Sequence, residues 1–62
     1  MKNYIVIDRN VFGYLRIKGY IRGMESETPY MCFGGYTEKD AIAKWRRTYN
    51  AMRKHLTIIR IY

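Results

Sequence analysis

Aromatic and cationic side chains alternate with apolar residues and glycines between Val11 and Gly23. If this segment is a β-strand, successive side chains leave opposite faces, so every second residue shares a surface. Aromatic rings can stack on bases, and arginine and lysine can pair with phosphates. The pattern therefore predicts one core face and one nucleic-acid-binding face, the latter formed by Phe12, Tyr14, Arg16, Lys18, Tyr20 and Arg22.

The opposite face of the same segment is apolar, with Val11, Leu15, Ile17 and Ile21. We expect these four side chains to be buried beneath a covering element. A purely structural interpretation of the cationic face is also open. In that case its aromatic residues are cross-strand packing partners, and its charges only keep the sheet soluble.

The net charge is +7 on 62 residues, from 12 Lys and Arg against 5 Asp and Glu. Such a balance favours a polyanionic partner, because neutralising phosphates releases counterions. DNA or RNA fits this charge better than anionic lipid or an acidic protein does. The length predicts one small domain, residues 1–62, with little room for a large catalytic cleft.

Residues suited to catalysis are few and scattered. His55 is the only histidine and Cys32 the only cysteine, so neither has a partner of its own kind. Two acids are assigned to helix capping, which leaves Asp8, Glu25 and Glu27 in predicted turns. Clustered carboxylates for a metal, or a nucleophile beside a base, are not indicated. We therefore expect a protein that is not an enzyme and has no metal site and no cofactor.

The single cysteine excludes an intramolecular disulfide, so nothing points to an oxidising compartment. The apolar run near the start is too short for a signal sequence, and none approaches the ~20 residues of a membrane span. These features predict a cytoplasmic protein without membrane association.

The order of elements is predicted as β-β-β-α-β. Strands are expected at Tyr4–Ile7, Val11–Gly23, Tyr30–Phe33 and Leu56–Tyr62, where β-branched and aromatic residues alternate with turn residues. The fold class is α+β, with a three- to four-stranded antiparallel sheet and one helix packed on one face. The last strand lacks proline or lysine protection, so it predicts an edge that could pair in a homodimer or with a partner's sheet.

The helix is predicted to open at Thr37, because threonine followed three residues later by Asp40 is a capping-box pattern. Its apolar stripe is expected to face the sheet, with Trp45 and Tyr49 in the core, and consists of Ala41, Ile42, Trp45, Tyr49 and Met52. Cationic residues occupy most of the remaining surface of this helix. Arg46 and Arg47, together with Arg53 and Lys54, are candidate phosphate contacts, although a solvated helix face explains them equally well.

The segment Tyr14–Tyr49 resembles the DNA-binding domain of ethylene-response factors, to which the arm-binding domains of phage and transposon integrases are related. The matching positions are Phe33-Gly34, Tyr36-Thr37 and Asp40-Ala41, at the junction of the third strand and the helix. The resemblance implies a three-stranded sheet that enters the major groove, with Arg16, Lys18 and Arg22 as contacts. The strand tryptophan of that family is absent here, and the final strand is additional.

Two other interpretations stay open. The β-β-β-α-β order and the sequence that opens the helix are similar to the antitoxin of HicAB toxin–antitoxin pairs, which implies a basic protein partner. Such a partner conflicts with the positive charge of this chain. A small phage-encoded inhibitor that binds a host enzyme or a CRISPR-type defence complex would also suit a compact, cationic and aromatic surface.

Overall fold

Runs of β-branched and aromatic residues form four strands, and the capped amphipathic segment forms one helix. The computed structural model describes residues 3–62, so Met1 and Lys2 of the predicted domain lie outside the described part. The elements are β1 (Tyr4–Arg9), β2 (Leu15–Tyr20), β3 (Met31–Phe33), α1 (Glu38–Thr48) and β4 (Thr57–Arg60). The predicted α+β class and the β-β-β-α-β order are confirmed.

The four strands form one sheet in the order β3-β2-β1-β4. β1 pairs antiparallel with β2, and β2 with β3, but β4 runs parallel to β1. The expectation of an antiparallel sheet is therefore wrong for its last strand. Hairpin neighbours alternate in direction, so β1 and β3 point the same way. A helical crossover then returns the chain in the direction of the strand before it, which makes β4 parallel to both.

The core lies between α1 and one face of the sheet. Ile5 and Ile7 of β1, Ile17 of β2 and Trp45 of α1 are completely buried. Leu15, also from β2, belongs to the same cluster. The predicted core face of β2 is thereby confirmed over the length of the strand, and so is the core position of Trp45.

The second strand is shorter than predicted at both ends, so three predicted face residues lie outside it. Residues 11–13 form a hairpin turn, in which Gly13 has a left-handed φ of 82° and donates its N–H to the Asn10 carbonyl at 2.9 Å. This turn places Val11 in solvent, 94% exposed, instead of in the core. Phe12 and Tyr14 precede the strand, and Arg22 follows it.

Thr37 caps the helix as predicted, because its Oγ1 accepts a hydrogen bond from the Asp40 amide at 3.2 Å. The helix ends at Thr48, one residue before its cap Tyr49, because Asn50 adopts a left-handed φ of 55° that α-helix cannot continue. Met52 therefore lies in the following loop, 54% exposed. Its prediction as the last residue of the buried stripe is wrong.

Gly19 lies where the Trp45 ring of the helix packs tightly on β2. A Cβ atom at this position would lie 2.5 Å from the Tyr4 carbonyl oxygen and 2.8 Å from the Trp45 ring. The Gly19 amide donates to the buried Oγ1 of Thr28 at 3.0 Å, which ties the loop after β2 to the strand. Glycine thus allows α1 to lie directly on β2.

Candidate nucleic-acid interface

The face of the sheet opposite the helix, here called the open face, carries Arg16, Lys18 and Tyr20 from β2. The register of the first hairpin places Asp8 of β1 directly opposite Arg16. The guanidinium donates two hydrogen bonds to this carboxylate, at 2.9 and 2.6 Å. These bonds hold the pKa of Asp8 below its usual value. Arg16 is therefore already paired in a bidentate interaction of the kind it would make with a phosphate.

Lys18 has an acidic partner as well, although from a loop rather than a strand. Its Nζ lies 3.3 Å from a carboxylate oxygen of Glu27, and the Tyr4 hydroxyl donates to the same carboxylate. The hydrogen bond from Tyr4, followed by that from Lys18, lowers the pKa of Glu27. The expectation that Asp8 lies in a turn is wrong, because Asp8 belongs to β1. Glu27 lies in a loop as expected, and this loop folds back onto the open face.

Three tyrosine rings contact the open-face residues or one another. The Tyr30 ring lies 4.2 Å from the Arg16 guanidinium carbon and 5.1 Å from the Lys18 ammonium. Tyr4 and Tyr20 stack on each other with their centroids 6.1 Å apart. Two of the predicted cations are thus neutralised within the chain, and Tyr20 already has an aromatic partner.

A third ion pair connects the last strand to the helix. Arg60 of β4 donates to Glu38 at the start of α1 at 2.7 Å, and the Tyr62 hydroxyl donates to the same carboxylate. These bonds, with Arg60 as the larger cause, lower the pKa of Glu38. Glu38 thereby joins the helix N-terminus to the last strand.

Acid is expected to destabilise the fold through these carboxylates. The pKa values of Asp8, Glu27 and Glu38 are lowered in the folded chain, so their stabilisation is complete above the unfolded values of about 4 and is lost as pH falls through the folded values. The midpoint of thermal unfolding, followed by circular dichroism, should stay level from neutral pH to about pH 5 and decline below about pH 4. Asp8→Asn should lower the plateau and reduce the decline. A midpoint that is constant down to pH 2 would contradict these ion pairs.

The other predicted residues of the open face are spread over both ends of the molecule. Phe12 is 77% exposed at the tip of the first hairpin, and Tyr14 is half exposed beside it. Arg22 lies in the loop at the opposite end of β2, where its amide donates to the Asn3 side chain at 2.7 Å. Three of the six predicted residues thus lie outside β2, beyond its two ends.

Arg46 has a structural role in the loop after the helix. Its Nη1 donates to the carbonyls of Ala51 and Lys54, at 2.9 and 2.7 Å. These bonds hold residues 51–54 against the helix end. Arg47, the next residue, is exposed. Of these two predicted contacts, Arg47 presents its charge to solvent, and Arg46 positions the loop.

Most of the positive charge lies in residues 39–54, here called the basic segment. It contains six Lys and Arg residues against one acid, Asp40, a net charge of +5 out of the +7 of the chain. The three ion pairs found among residues 3–62 all lie outside it. Its five exposed cations are Lys39, Lys44, Arg47, Arg53 and Lys54. The sequence signal for this surface is the excess of six Lys and Arg residues over one acid within residues 39–54.

The last residues of the basic segment lie at one end of the molecule, and the tip of the first hairpin lies at the other end. Asn3, which precedes β1, accepts from the Thr57 amide at 3.0 Å, so the loop between α1 and β4 lies at the start of β1. Arg22 lies at the same end, which we call the basic end. At the other end of β1, the Arg9 guanidinium lies 4.9 Å from the Tyr62 ring. The chain measures 32 × 18 × 16 Å.

Within residues 3–62, no cluster of three or more His, Cys, Asp or Glu side chains is arranged to hold a metal ion. None of the helices in the described part of the chain has the length and apolar character to cross a membrane. Comparison with protein-family models, curated proteins and solved structures finds no match.

Proposed function

We propose that this protein is a non-catalytic nucleic-acid-binding module that binds phosphates through its basic segment. The observation that carries the proposal is the concentration of +5 charge in residues 39–54, with no ion pair to an acid among the described residues. Free cations can replace condensed counterions on a phosphate backbone without first losing a carboxylate partner.

The geometry of the segment suits contact with a backbone. Lys44 and Arg47 lie three residues apart on the exposed side of α1, so their side chains are neighbours. Arg53 and Lys54 follow in the loop that Arg46 holds in place. A helix face continued by a fixed loop presents four cations without the entropy cost of ordering a flexible tail.

The open face of the sheet is the competing surface, and it is the one that the resemblance to ethylene-response factors implies. Binding there would require Arg16 and Lys18 to exchange Asp8 and Glu27 for phosphate. Removing a buried or half-buried partner from a bidentate pair is costly, since the abandoned carboxylate then faces the polyanion. This cost favours the basic segment as the phosphate contact.

The salt dependence of binding tests the proposal. A labelled duplex and a labelled single strand, titrated with protein and followed by fluorescence anisotropy, should both bind at low salt. Four phosphate contacts predict a slope of about −3.6 in log K against log salt for duplex DNA. Absence of binding at ~50 mM salt, or a slope near zero, would contradict the proposal.

A protein-docking function is the second candidate, and the hairpin tip favours it. Val11 and Phe12 are 94% and 77% exposed, yet the turn is held firmly. Asn10 Oδ1 accepts from the amides of Phe12 and Tyr14, at 2.9 and 3.0 Å. A fixed, exposed aromatic residue is a typical interface anchor. This function would be supported by failure of both nucleic-acid probes together with a nuclease-resistant partner whose complex, rebuilt from purified proteins, is lost on Phe12→Ser.

A further inference from the structure

β4 forms one edge of the sheet and leaves half of its main-chain groups without a neighbouring strand. The amides of Thr57 and Ile61 donate to the carbonyls of Asn3 and Ile7 on the β1 side, at 3.0 and 2.9 Å. Because main-chain groups alternate in direction along a strand, those of Ile58 and Arg60 point away from β1. The strand order ends at β4, so these groups form the free edge of the sheet.

The side chains along this edge are mostly apolar and carry no unpaired charge. Ile59, Ile61 and Tyr62 are 44%, 63% and 49% exposed. Arg60 is the only charged residue of the strand, and Glu38 neutralises it within the chain. Natural sheets commonly protect exposed edges with lysine, proline or a bulge. Residues 57–62 contain none of the first two, and the regular register with β1 includes no bulge.

We propose that β4 pairs antiparallel with β4 of a second copy, around a twofold axis at Ile59. In this register Ile58 lies opposite Arg60 of the second copy, so the main-chain groups that point outward exchange hydrogen bonds. The two Ile59 residues then occupy the non-hydrogen-bonded position, where opposing side chains approach most closely. The contact is self-complementary, as a closed twofold dimer requires.

Charge distribution selects this antiparallel arrangement. Each chain carries its basic end beside Thr57, where β4 begins. Parallel pairing would bring two basic ends together, whereas antiparallel pairing places them at opposite ends of an eight-stranded sheet. Electrostatic repulsion between two chains of +7 is thereby reduced. If the proposed function holds, the dimer presents two phosphate-binding ends that face away from each other and could bridge two segments of nucleic acid.

The oligomeric state tests the pairing without reference to nucleic acid. One pair of short strands buries less than the ~1,200 Å² of a standard interface, so the dimer should be reversible between ~10 μM and ~1 mM. Sedimentation equilibrium should show a mass that rises with concentration toward twice the 7.5 kDa of one chain. A mass that stays at 7.5 kDa throughout this range would overturn the proposal.

Two lysine variants identify the surface. Ile59→Lys places two like charges on the twofold axis and should weaken the dimer at least ~10-fold. Val11→Lys makes the same change of charge at an exposed aliphatic residue of the hairpin tip, outside β4, and should leave the dimer unchanged. Loss of the dimer in Val11→Lys but not in Ile59→Lys would place the contact at the hairpin tip and overturn the edge pairing.

Hydrogen exchange of the unmodified protein gives a measurement that does not depend on how the variants fold. The amides of Ile58 and Arg60 should exchange more slowly at high protein concentration, because they donate across the twofold axis only in the dimer. Exchange rates of these two amides that do not change with concentration would also overturn the proposal.

Discussion

Trp45→Ala is expected to destabilise the protein by about 3–5 kcal/mol, the usual cost of deleting a large buried aromatic side chain. Trp45 is completely buried, its ring lies 4.8 Å from that of Tyr49, and it packs on the sheet at Gly19. The loss is a large share of the roughly 5–15 kcal/mol that stabilises an ordinary domain, and a domain of this size has little reserve. We expect the variant to be largely unfolded at 37 °C.

Urea unfolding followed by far-UV circular dichroism measures this loss, and Trp45→Phe provides the matched control. Phenylalanine keeps an aromatic ring at the helix–sheet contact. It also removes the indole Nε1, a buried donor for which residues 3–62 provide no hydrogen-bond partner. The free energy of unfolding should therefore fall much less in Trp45→Phe. Equal unfolding midpoints for Trp45→Ala and the parent would contradict the described core.

Replacing Arg53 and Lys54 together with alanine is expected to weaken nucleic-acid binding about 10- to 100-fold at low salt. Both side chains are exposed, and the hydrogen bonds that hold their loop use main-chain carbonyls, so the fold should be retained. Loss of two phosphate contacts should also reduce the magnitude of the salt slope by about 2.

The matched control is Arg16→Gln with Lys18→Gln, which also removes one arginine and one lysine, but from the open face. Because Arg16 and Lys18 are paired with Asp8 and Glu27, this variant should lose stability but retain most of its affinity at the same salt. The reverse order, with the open-face variant losing more affinity, would identify the sheet as the interface. It would also support the groove-binding mode implied by the resemblance.

Local patterns were sufficient to predict the helix start, most of the core and the order of elements. Thr37 and Asp40 lie three residues apart, so the cap depends on neighbouring residues alone. Ile17 and Trp45 belong to regular periods of two and about 3.6, which determine a buried face without knowledge of the partner. The last strand of the chain was also predicted to lie at an edge of the sheet, and the strand order confirms this.

The pairing of charges was not predictable in the same way, because it depends on register. Asp8 meets Arg16 only because the turn between them fixes which residues of β1 and β2 are opposite. Glu27 reaches Lys18 through a loop that Thr28 anchors to Gly19. The charged residues of β2 on this face are all cations. Their acidic partners come from β1 and from the loop after β2, which the sequence of β2 alone does not show.

The predicted start of β2 was wrong for a local reason, because the strand begins at Leu15 and not at Val11. The alternation of residue types in the sequence already begins at Val11. In the structure, however, the Asn10 side chain accepts hydrogen bonds from two amides of the turn, and Gly13 adopts a left-handed conformation. Turn hydrogen bonds outweighed the strand pattern at these residues. As a result, Val11 and Phe12 form an exposed tip instead of continuing the two faces.

Amide chemical-shift mapping tests most directly whether the basic segment binds the polyanion. ¹⁵N-labelled protein should be titrated with a short duplex at low salt, with the shifts of every amide followed. The largest changes are expected at Lys44, Arg47, Arg53 and Lys54, and those of Arg16 and Lys18 on the open face should be small. Changes concentrated on β2 and β3, with residues 39–54 unaffected, would contradict the account.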